Sequence, residues 1–143
     1  MNTHYIYRKT AALRLMALLL FIIGGSAAAT AQNTLHVEDI STAAGKVASI
    51  PIYLDNSQEV MGLQFDITLP YAKPSSNPTL DLNRSEGHSV DWKKINDTKY
   101  TVVIMSNKNE PIKGNAGILL RFPSLVPETA QIGDTKPIKL ETT

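Results

Sequence analysis

The chain has 143 residues, of which 43% are hydrophobic and 19% charged, with a formal net charge of +1 and no cysteine. This length suits one small domain, and the near-neutral charge offers no basic surface for nucleic acid or anionic lipid. Because disulfides are excluded, such a domain must be stabilised by its hydrophobic core alone.

The first 31 residues have the organisation of a secretory signal peptide. An apolar run, Leu15–Ile23, precedes small residues that end in the A-x-A cleavage site Ala29-Thr30-Ala31. The basic residues before and at the start of this run are Arg8, Lys9 and Arg14. The run is about half the length of a membrane-spanning helix, which makes a membrane anchor the weaker interpretation. We therefore predict an exported protein with no membrane span after cleavage and a mature domain of residues 32–143, whose net charge is −2 because the signal removes three basic residues.

The mature part has the pattern of short β-strands separated by turns, without a convincing amphipathic helix. The clearest strand is Gly62–Leu69, where apolar residues alternate with polar ones, so that one face is buried and the other faces water or a partner. Pro51 cannot donate to a ladder, which predicts that its strand lies at a sheet edge or carries a bulge. The predicted strands are Leu35–Val37 with Ile40 as an optional extension, Val47–Leu54, Val60–Leu69, Leu80–Leu82, Val90–Ile95, Lys99–Ser106, Gly117–Phe122 and Pro137–Glu141.

Strands of this length and spacing predict an all-β, two-sheet antiparallel sandwich. Three stretches also match a known family in order and spacing: Gly45–Asn56 (GKVASIPIYLDN), Val60–Pro70 (VMGLQFDITLP) and Val102–Phe122. On these stretches the mature chain resembles the cohesin domain, a module of bacterial surface and cellulosome scaffolds in the same superfamily as carbohydrate-binding modules. It is most similar to the cohesin-like domains of exported Bacteroidetes proteins.

The resemblance implies a jelly-roll sandwich of about nine strands that docks a dockerin-like module through the outer face of one sheet. The partner-facing positions would fall on Gly62 and Gln64, with Asp66 next along the same face. Gln64 keeps the hydrogen-bonding capacity of that position without a charge. The resemblance also implies a last strand beside the first one. Pro137–Glu141 is short for it, which leaves open that the closing strand is missing and that the chain is the N-terminal part of a longer protein.

The strand Lys99–Ser106 provides an independent indication of a binding surface. Its alternation assigns one set of side chains to the core, namely Tyr100, Val102 and Ile104. The outward set is Thr101, Val103 and Met105. Beside Gln64 and Asp66, these residues would form a semi-apolar patch of the kind that interaction faces use, although single exposed apolar side chains are also normal on any surface.

Carbohydrate binding is the alternative, because an exposed aromatic ring can stack on a sugar. Trp92 and Tyr71 are the candidates, with Tyr100 as the only other reasonable one. A single strand tryptophan is, however, more often half-buried packing, and sugar platforms usually combine several coplanar rings.

Metal binding and catalysis have little support in the sequence. Asp81–Gly87 contains hard oxygen ligands that could hold a structural calcium, but its glycine is seventh rather than sixth and Trp92 occupies the twelfth position. The chain has no G-x-S-x-G elbow, no H-E-x-x-H and no phosphate-binding glycine loop. Glu86 and Glu110 lie in predicted loops and form no recognisable glycosidase pair. We therefore predict no catalytic residue, no metal site and no cofactor.

Three functions remain open at this point. The first is an exported or cell-surface module that binds a protein partner in an assembly linked to polysaccharide handling. The second is a carbohydrate-binding module, and the third is a structural spacer with no ligand of its own.

Overall fold

A computed structural model describes residues 32–71, 74 and 76–142, which form an all-β sandwich of two antiparallel sheets. The predicted signal peptide and its helix, with the cleavage site after Ala31, lie outside the described residues. Within the described part of the chain, no helix has the length and apolar character needed to cross a bilayer.

Eight strands and one short helix make up the described fold. The elements are β1 (Thr34–Val37), β2 (Val47–Asp55), β3 (Gly62–Thr68), β4 (Thr79–Leu80), α1 (Leu82–Ser85), β5 (His88–Lys94), β6 (Lys99–Ser106), β7 (Ile118–Leu125) and β8 (Lys139–Thr142). Sheet A has the order β1-β2-β7-β4, and sheet B has the order β5-β6-β3-β8. Strands far apart in sequence, such as β2 and β7 or β3 and β8, therefore pair directly.

The core lies between the two sheets and follows the alternation expected from the sequence. On β3, Phe65 and Ile67 have no exposed surface, and on β6 Tyr100, Val102 and Ile104 are at most 2% exposed. Sheet A contributes the buried side chains Ile50, Ile52, Leu54, Leu120 and Phe122. The ring centroid of Phe122 lies 5.9 Å from that of Tyr100, so aromatic contact joins the two layers.

Pro51 does not lie on an edge strand, because β2 pairs with β1 on one side and β7 on the other. The ladder with β1 ends at Ile52, so Pro51 has no β1 partner. A register shift between Ile52 and Tyr53 then interrupts the ladder with β7. Of the two predicted alternatives, an edge strand or a bulge, the structure has the bulge, next to the proline.

The expected strand at Leu80–Leu82 is also only partly correct. It ends at Leu80, and Leu82 instead starts the helical turn α1 with its side chain 71% exposed. Asp81 is the cause, because its carboxylate accepts a hydrogen bond from the Asn83 amide at 3.0 Å and caps the turn.

Helix α1 carries a buried arginine that ties together the end of the sandwich where β2 stops and β7 begins. Arg84 is 7% exposed, and its guanidinium donates five hydrogen bonds of 2.5–3.3 Å. Its acceptors are the carbonyl oxygens of Leu54, Lys113, Gly114 and Gly117 and the side-chain oxygen of Asn56. We call this set the Arg84 clamp. Burial lowers the pKa of Arg84 from its usual value, partly offset by the carboxylates of Asp55 and Asp81.

A last strand is present before Thr143. β8 is hydrogen-bonded to β3, from Thr68 opposite Lys139 to Phe65 opposite Thr142. It therefore completes sheet B rather than joining β1, and it pairs with only the second half of β3.

Candidate partner-binding face

The register of β3 and β6 brings together the six residues predicted to face a partner. Gly62 lies opposite Met105, Gln64 opposite Val103, and Asp66 opposite Thr101. Directly opposed side chains on one face of an antiparallel pair lie about 5 Å apart at Cβ, so the six positions form three adjacent rows. We call this outer surface of sheet B the β3–β6 face.

Strands β5 and β8 extend the β3–β6 face with residues that the sequence analysis did not use. Ser89 lies opposite Met105, Asp91 opposite Val103, and Lys93 opposite Thr101. On the other side, Glu141 lies opposite Asp66. The alternation of Val90 and Trp92 with these polar residues was sufficient to predict which side chains of β5 face outward. The pairing of β8 with β3, in contrast, could not be predicted from the local sequence pattern.

The two ends of the β3–β6 face differ in character. Met105 is 53% exposed, Gly62 and Gln64 are also exposed, and Val103 is half-buried. This end is therefore accessible, weakly polar and nearly uncharged, with Asp91 at its border. The opposite end is charged, so the face presents an apolar region flanked by polar groups.

The charged end is organised around Asp66, whose side chain is only 14% exposed. Its carboxylate accepts a hydrogen bond from the Thr101 hydroxyl at 2.6 Å and lies 3.0 Å from the Lys99 ammonium, which also donates to Glu141 at 2.6 Å. The hydrogen bond from Thr101 is the main cause that lowers the pKa of Asp66, followed by Lys99. Bonds to Glu141 and then Asp66 raise the pKa of Lys99. This network joins β6, β3 and β8 and already occupies both oxygens of Asp66.

Gly62 is required at its position by close packing of backbone. A Cβ atom built there would lie 2.6 Å from the carbonyl oxygen of Ile104 on the paired strand, closer than any real Cβ contact. The glycine consequently leaves an exposed position without a side chain at the start of β3, within the accessible end of the face.

The two candidate sugar-stacking residues occupy different environments. The Trp92 ring is half-buried between Tyr100, at a centroid distance of 5.5 Å, and Phe122, at 5.9 Å with an edge-to-face angle of 83°. Its indole N–H donates to the Asn77 side chain at 3.2 Å. Tyr71 is half-buried and lines a cleft at the end of the sandwich. Among the described residues the two rings are not in contact, so they form no common platform.

The acidic loop residues have protein partners. Asp81 caps α1, and Glu86 accepts a hydrogen bond from the Lys113 ammonium, which lowers the pKa of Glu86. In the described part of the chain, no group of three or more histidine, aspartate or glutamate residues is arranged to hold a metal ion. The Asp81–Gly87 loop is instead the segment that supplies Arg84 to the Arg84 clamp.

This architecture is shared with solved cohesin structures. The sixth cohesin of Acetivibrio cellulolyticus scaffoldin B, solved in complex with a Cel5 dockerin mutant, matches at a TM-score of 0.63 with 16% identity over 78% of this chain and 82% of that one. A Clostridium acetobutylicum cohesin in solution matches at 0.61 with 18% identity over 78% and 75% of the two chains. A type III cohesin of the cell-surface anchoring scaffoldin of Ruminococcus flavefaciens matches at 0.60 with 16% identity over 81% and 68%.

The chain therefore has a cohesin-like β-sandwich fold, as the sequence resemblance implied. No protein-family model and no curated protein sequence matches the chain. At these low identities the likeness concerns the fold, and function has to be argued from the site.

Proposed function

We propose that this protein is a non-catalytic binding module that docks a protein partner through the β3–β6 face. The partner is a small module of the dockerin type, and the complex belongs to an exported or cell-surface assembly involved in polysaccharide handling. The domain comprises residues 32–143 after removal of a signal peptide.

One observation carries this proposal. The six positions were predicted on two strands that are not consecutive in the chain, and they form three directly opposed pairs on the outer face of sheet B. Protein interfaces combine a weakly polar centre with a polar rim, and Gly62, Gln64, Val103 and Met105 provide such a centre. The rim is supplied by Asp91, Lys93 and the Asp66–Lys99–Glu141 network. One of the structural relatives was solved with a dockerin bound, which supports the same kind of partner.

Carbohydrate binding is less well supported. Trp92 is engaged by Tyr100, Phe122 and Asn77, so presenting its ring to a sugar would require these contacts to be lost. A spacer would need no partner at the β3–β6 face, so it is the function favoured if the experiment below captures no protein.

The test begins with the full chain immobilised and exposed to the culture medium of the cells that produce it. Captured proteins are identified by mass spectrometry, and the purified candidate is then titrated against the wild type and against Val103→Asp and Gln64→Ala. Val103→Asp places a charge at the centre of the interface and should weaken binding by about 10-fold or more. Gln64→Ala removes a central polar side chain and should weaken it by about 3-fold or more.

The matched control is Leu125→Asp, which introduces the same charge at an exposed apolar position on the outer face of sheet A, 38% exposed. Its affinity is expected to stay within about 2-fold of wild type, because rim or remote positions contribute little to binding. If Val103→Asp and Gln64→Ala bind the partner as tightly as the control Leu125→Asp, the β3–β6 face is refuted as the docking site. Retention on a glycan array that depends on Tyr71 or Trp92 would support the carbohydrate module instead.

A further inference from the structure

A cleft opens at the end of the sandwich opposite the Arg84 clamp. It has a volume of about 750 Å³ and lies beside the start of β2 and the end of β7, between the segment at Ile40–Ala44 and the loop at Ala130–Ile138. Pockets that bind small molecules have volumes of about 300–1,000 Å³. The cleft is separate from the β3–β6 face, because none of the six residues of that face lines it.

The inner wall of the cleft is apolar. Ala48 and Ile50 on β2 and Val126 after β7 are core residues that line it, at most 8% exposed, and Ile138 adds a half-buried side chain. The half-buried ring of Tyr71 completes the lining from the other sheet's side. Such a wall favours a ligand whose body is apolar and disfavours a sugar, whose hydroxyl groups would lose their water hydrogen bonds there.

One polar atom of this lining has no partner. Ser124, on the inner side of β7, is 1% exposed, and its hydroxyl oxygen forms no hydrogen bond. A buried hydroxyl without a partner is unfavourable, and such groups are uncommon in folded proteins. The other unpartnered buried polar atom among the described residues, His88 Nε2, does not line the cleft.

The charged residues that line the cleft carry no net charge. Asp134 and Lys136 bring one charge of each sign to it, so neither an anion nor a cation is preferred. The remaining polar lining consists of neutral residues such as Ser41, Thr42 and Gln131. Ile132, an aliphatic side chain in full contact with water, also belongs to this lining.

We propose that this cleft is a binding site for a compact, uncharged and mainly apolar molecule that carries a single hydroxyl or carbonyl oxygen. The apolar body packs against Ile50, Val126 and Tyr71, and the oxygen forms the hydrogen bond that Ser124 lacks. The site acts independently of the β3–β6 face.

The experiment uses two probe pairs that differ by one hydroxyl group: 2-naphthol with naphthalene, and 1-octanol with octane. Each probe is titrated into the isotope-labelled full chain, and amide chemical shifts report both the affinity and the location. Binding of at least one alcohol with shifts concentrated at Ala43–Ala48 and Ser124–Ile138 is the expected result. Loss of one neutral hydrogen bond in Ser124→Ala weakens that alcohol by about 5- to 10-fold and leaves its hydrocarbon analogue within about 2-fold.

Two further variants complete the design. Ala130→Trp, in the half-buried loop beside the cleft, fills the space and weakens alcohol and hydrocarbon alike. Ser49→Ala, an exposed position on the outer side of β2, is the matched serine control and binds as wild type. The proposal is overturned if neither alcohol binds saturably, if the shifts lie elsewhere, or if Ser124→Ala affects alcohol and hydrocarbon equally while circular dichroism shows an intact fold.

Discussion

The two ends of the sandwich differ in how their most buried polar side chains are hydrogen-bonded. At the Arg84 clamp, Arg84, Asn56 and Ser85 are each at most 7% exposed and each has a hydrogen-bond partner, while the nearby His88, 8% exposed, has one at Nδ1 and none at Nε2. At the cleft, Ser124 is 1% exposed and its hydroxyl has none. Because buried polar groups are normally satisfied, the hydrogen bonds of Arg84 stabilise the first end, whereas the unpartnered Ser124 hydroxyl lowers the stability of the second, which retains an open, apolar space.

Replacing the guanidinium of the Arg84 clamp should have the largest effect on stability. Arg84→Met leaves five acceptors on the converging segments without their donor, and we expect a loss of about 3 kcal/mol or more in the free energy of unfolding. Arg84→Lys should recover less than half of this lost free energy of unfolding, because a single ammonium group cannot reach all the acceptors that surround the planar guanidinium. Urea unfolding followed by tryptophan fluorescence measures both.

The control for the clamp is Arg121→Met, an exposed arginine on β7. It is expected to change the free energy of unfolding by less than about 0.5 kcal/mol. A loss at Arg84 no larger than the loss at Arg121 would mean that the clamp does not stabilise this end.

Two buried serines allow the two ends to be compared by removing a single hydroxyl group at each. The Ser85 hydroxyl donates to the Leu119 carbonyl oxygen at 3.3 Å, whereas the Ser124 hydroxyl has no partner. Ser85→Ala should therefore lower the free energy of unfolding by about 1 kcal/mol, whereas Ser124→Ala should leave it unchanged or raise it by up to about 1 kcal/mol. Parallel urea titrations of the two variants give the answer, and equal destabilisation would contradict the difference between the two ends.

The smallest expected effect concerns two carboxylates, one in the second half of β3 and one beside the Arg84 clamp. The pKa values of Asp66, towards the cleft, and Glu86, beside the clamp, are both lowered, the first mainly by the Thr101 hydroxyl and the second by Lys113. A carboxyl whose pKa is lower in the folded state stabilises the protein above its unfolded pKa of about 4, and this contribution is lost as the pH falls further.

Asp66→Asn should therefore lower the stability at neutral pH, and its difference from wild type should shrink below about pH 4. Glu86→Gln should have the same sign but a smaller size, because the Glu86 side chain is 68% exposed against 14% for Asp66 and its ion pair is screened by water and salt. Thermal unfolding of both variants and the wild type, measured from neutral pH to below about pH 4, distinguishes the two contributions. A larger effect for Glu86 would show that exposure does not control these ion pairs, and a difference that grows in acid would show that folding does not lower the pKa of the carboxyl.

The features predicted correctly from the sequence are those that depend on local alternation. β6 was predicted with the bounds Lys99–Ser106 that the fold has, and the burial of Phe65 and Ile67 follows from the period of two along β3. The resemblance to cohesins supplied the arrangement of the sheets. The outward positions on β3 and β6 also followed from local pattern, although their role in binding remains a prediction.

The features that were missed depend on contacts between distant parts of the chain. Arg84 was considered only as part of a loop with calcium-like composition, because four of its five acceptors are backbone carbonyl groups 29 to 33 residues away, which leave no mark on the sequence. For Pro51 an edge strand stayed one of two alternatives beside a bulge, because it could not be foreseen that β1 ends opposite Ile52 and so leaves Pro51 without a partner on that side. The cleft was not predicted at all, since it arises from the spacing between two loops rather than from any motif.

Gly62 has a consequence for how related modules could diverge. Because the Ile104 carbonyl oxygen leaves no room for a Cβ, any residue other than glycine is disfavoured at this position even though it faces the solvent. New specificities would therefore have to evolve through the surrounding residues Gln64, Val103 and Met105, while position 62 itself stays without a side chain.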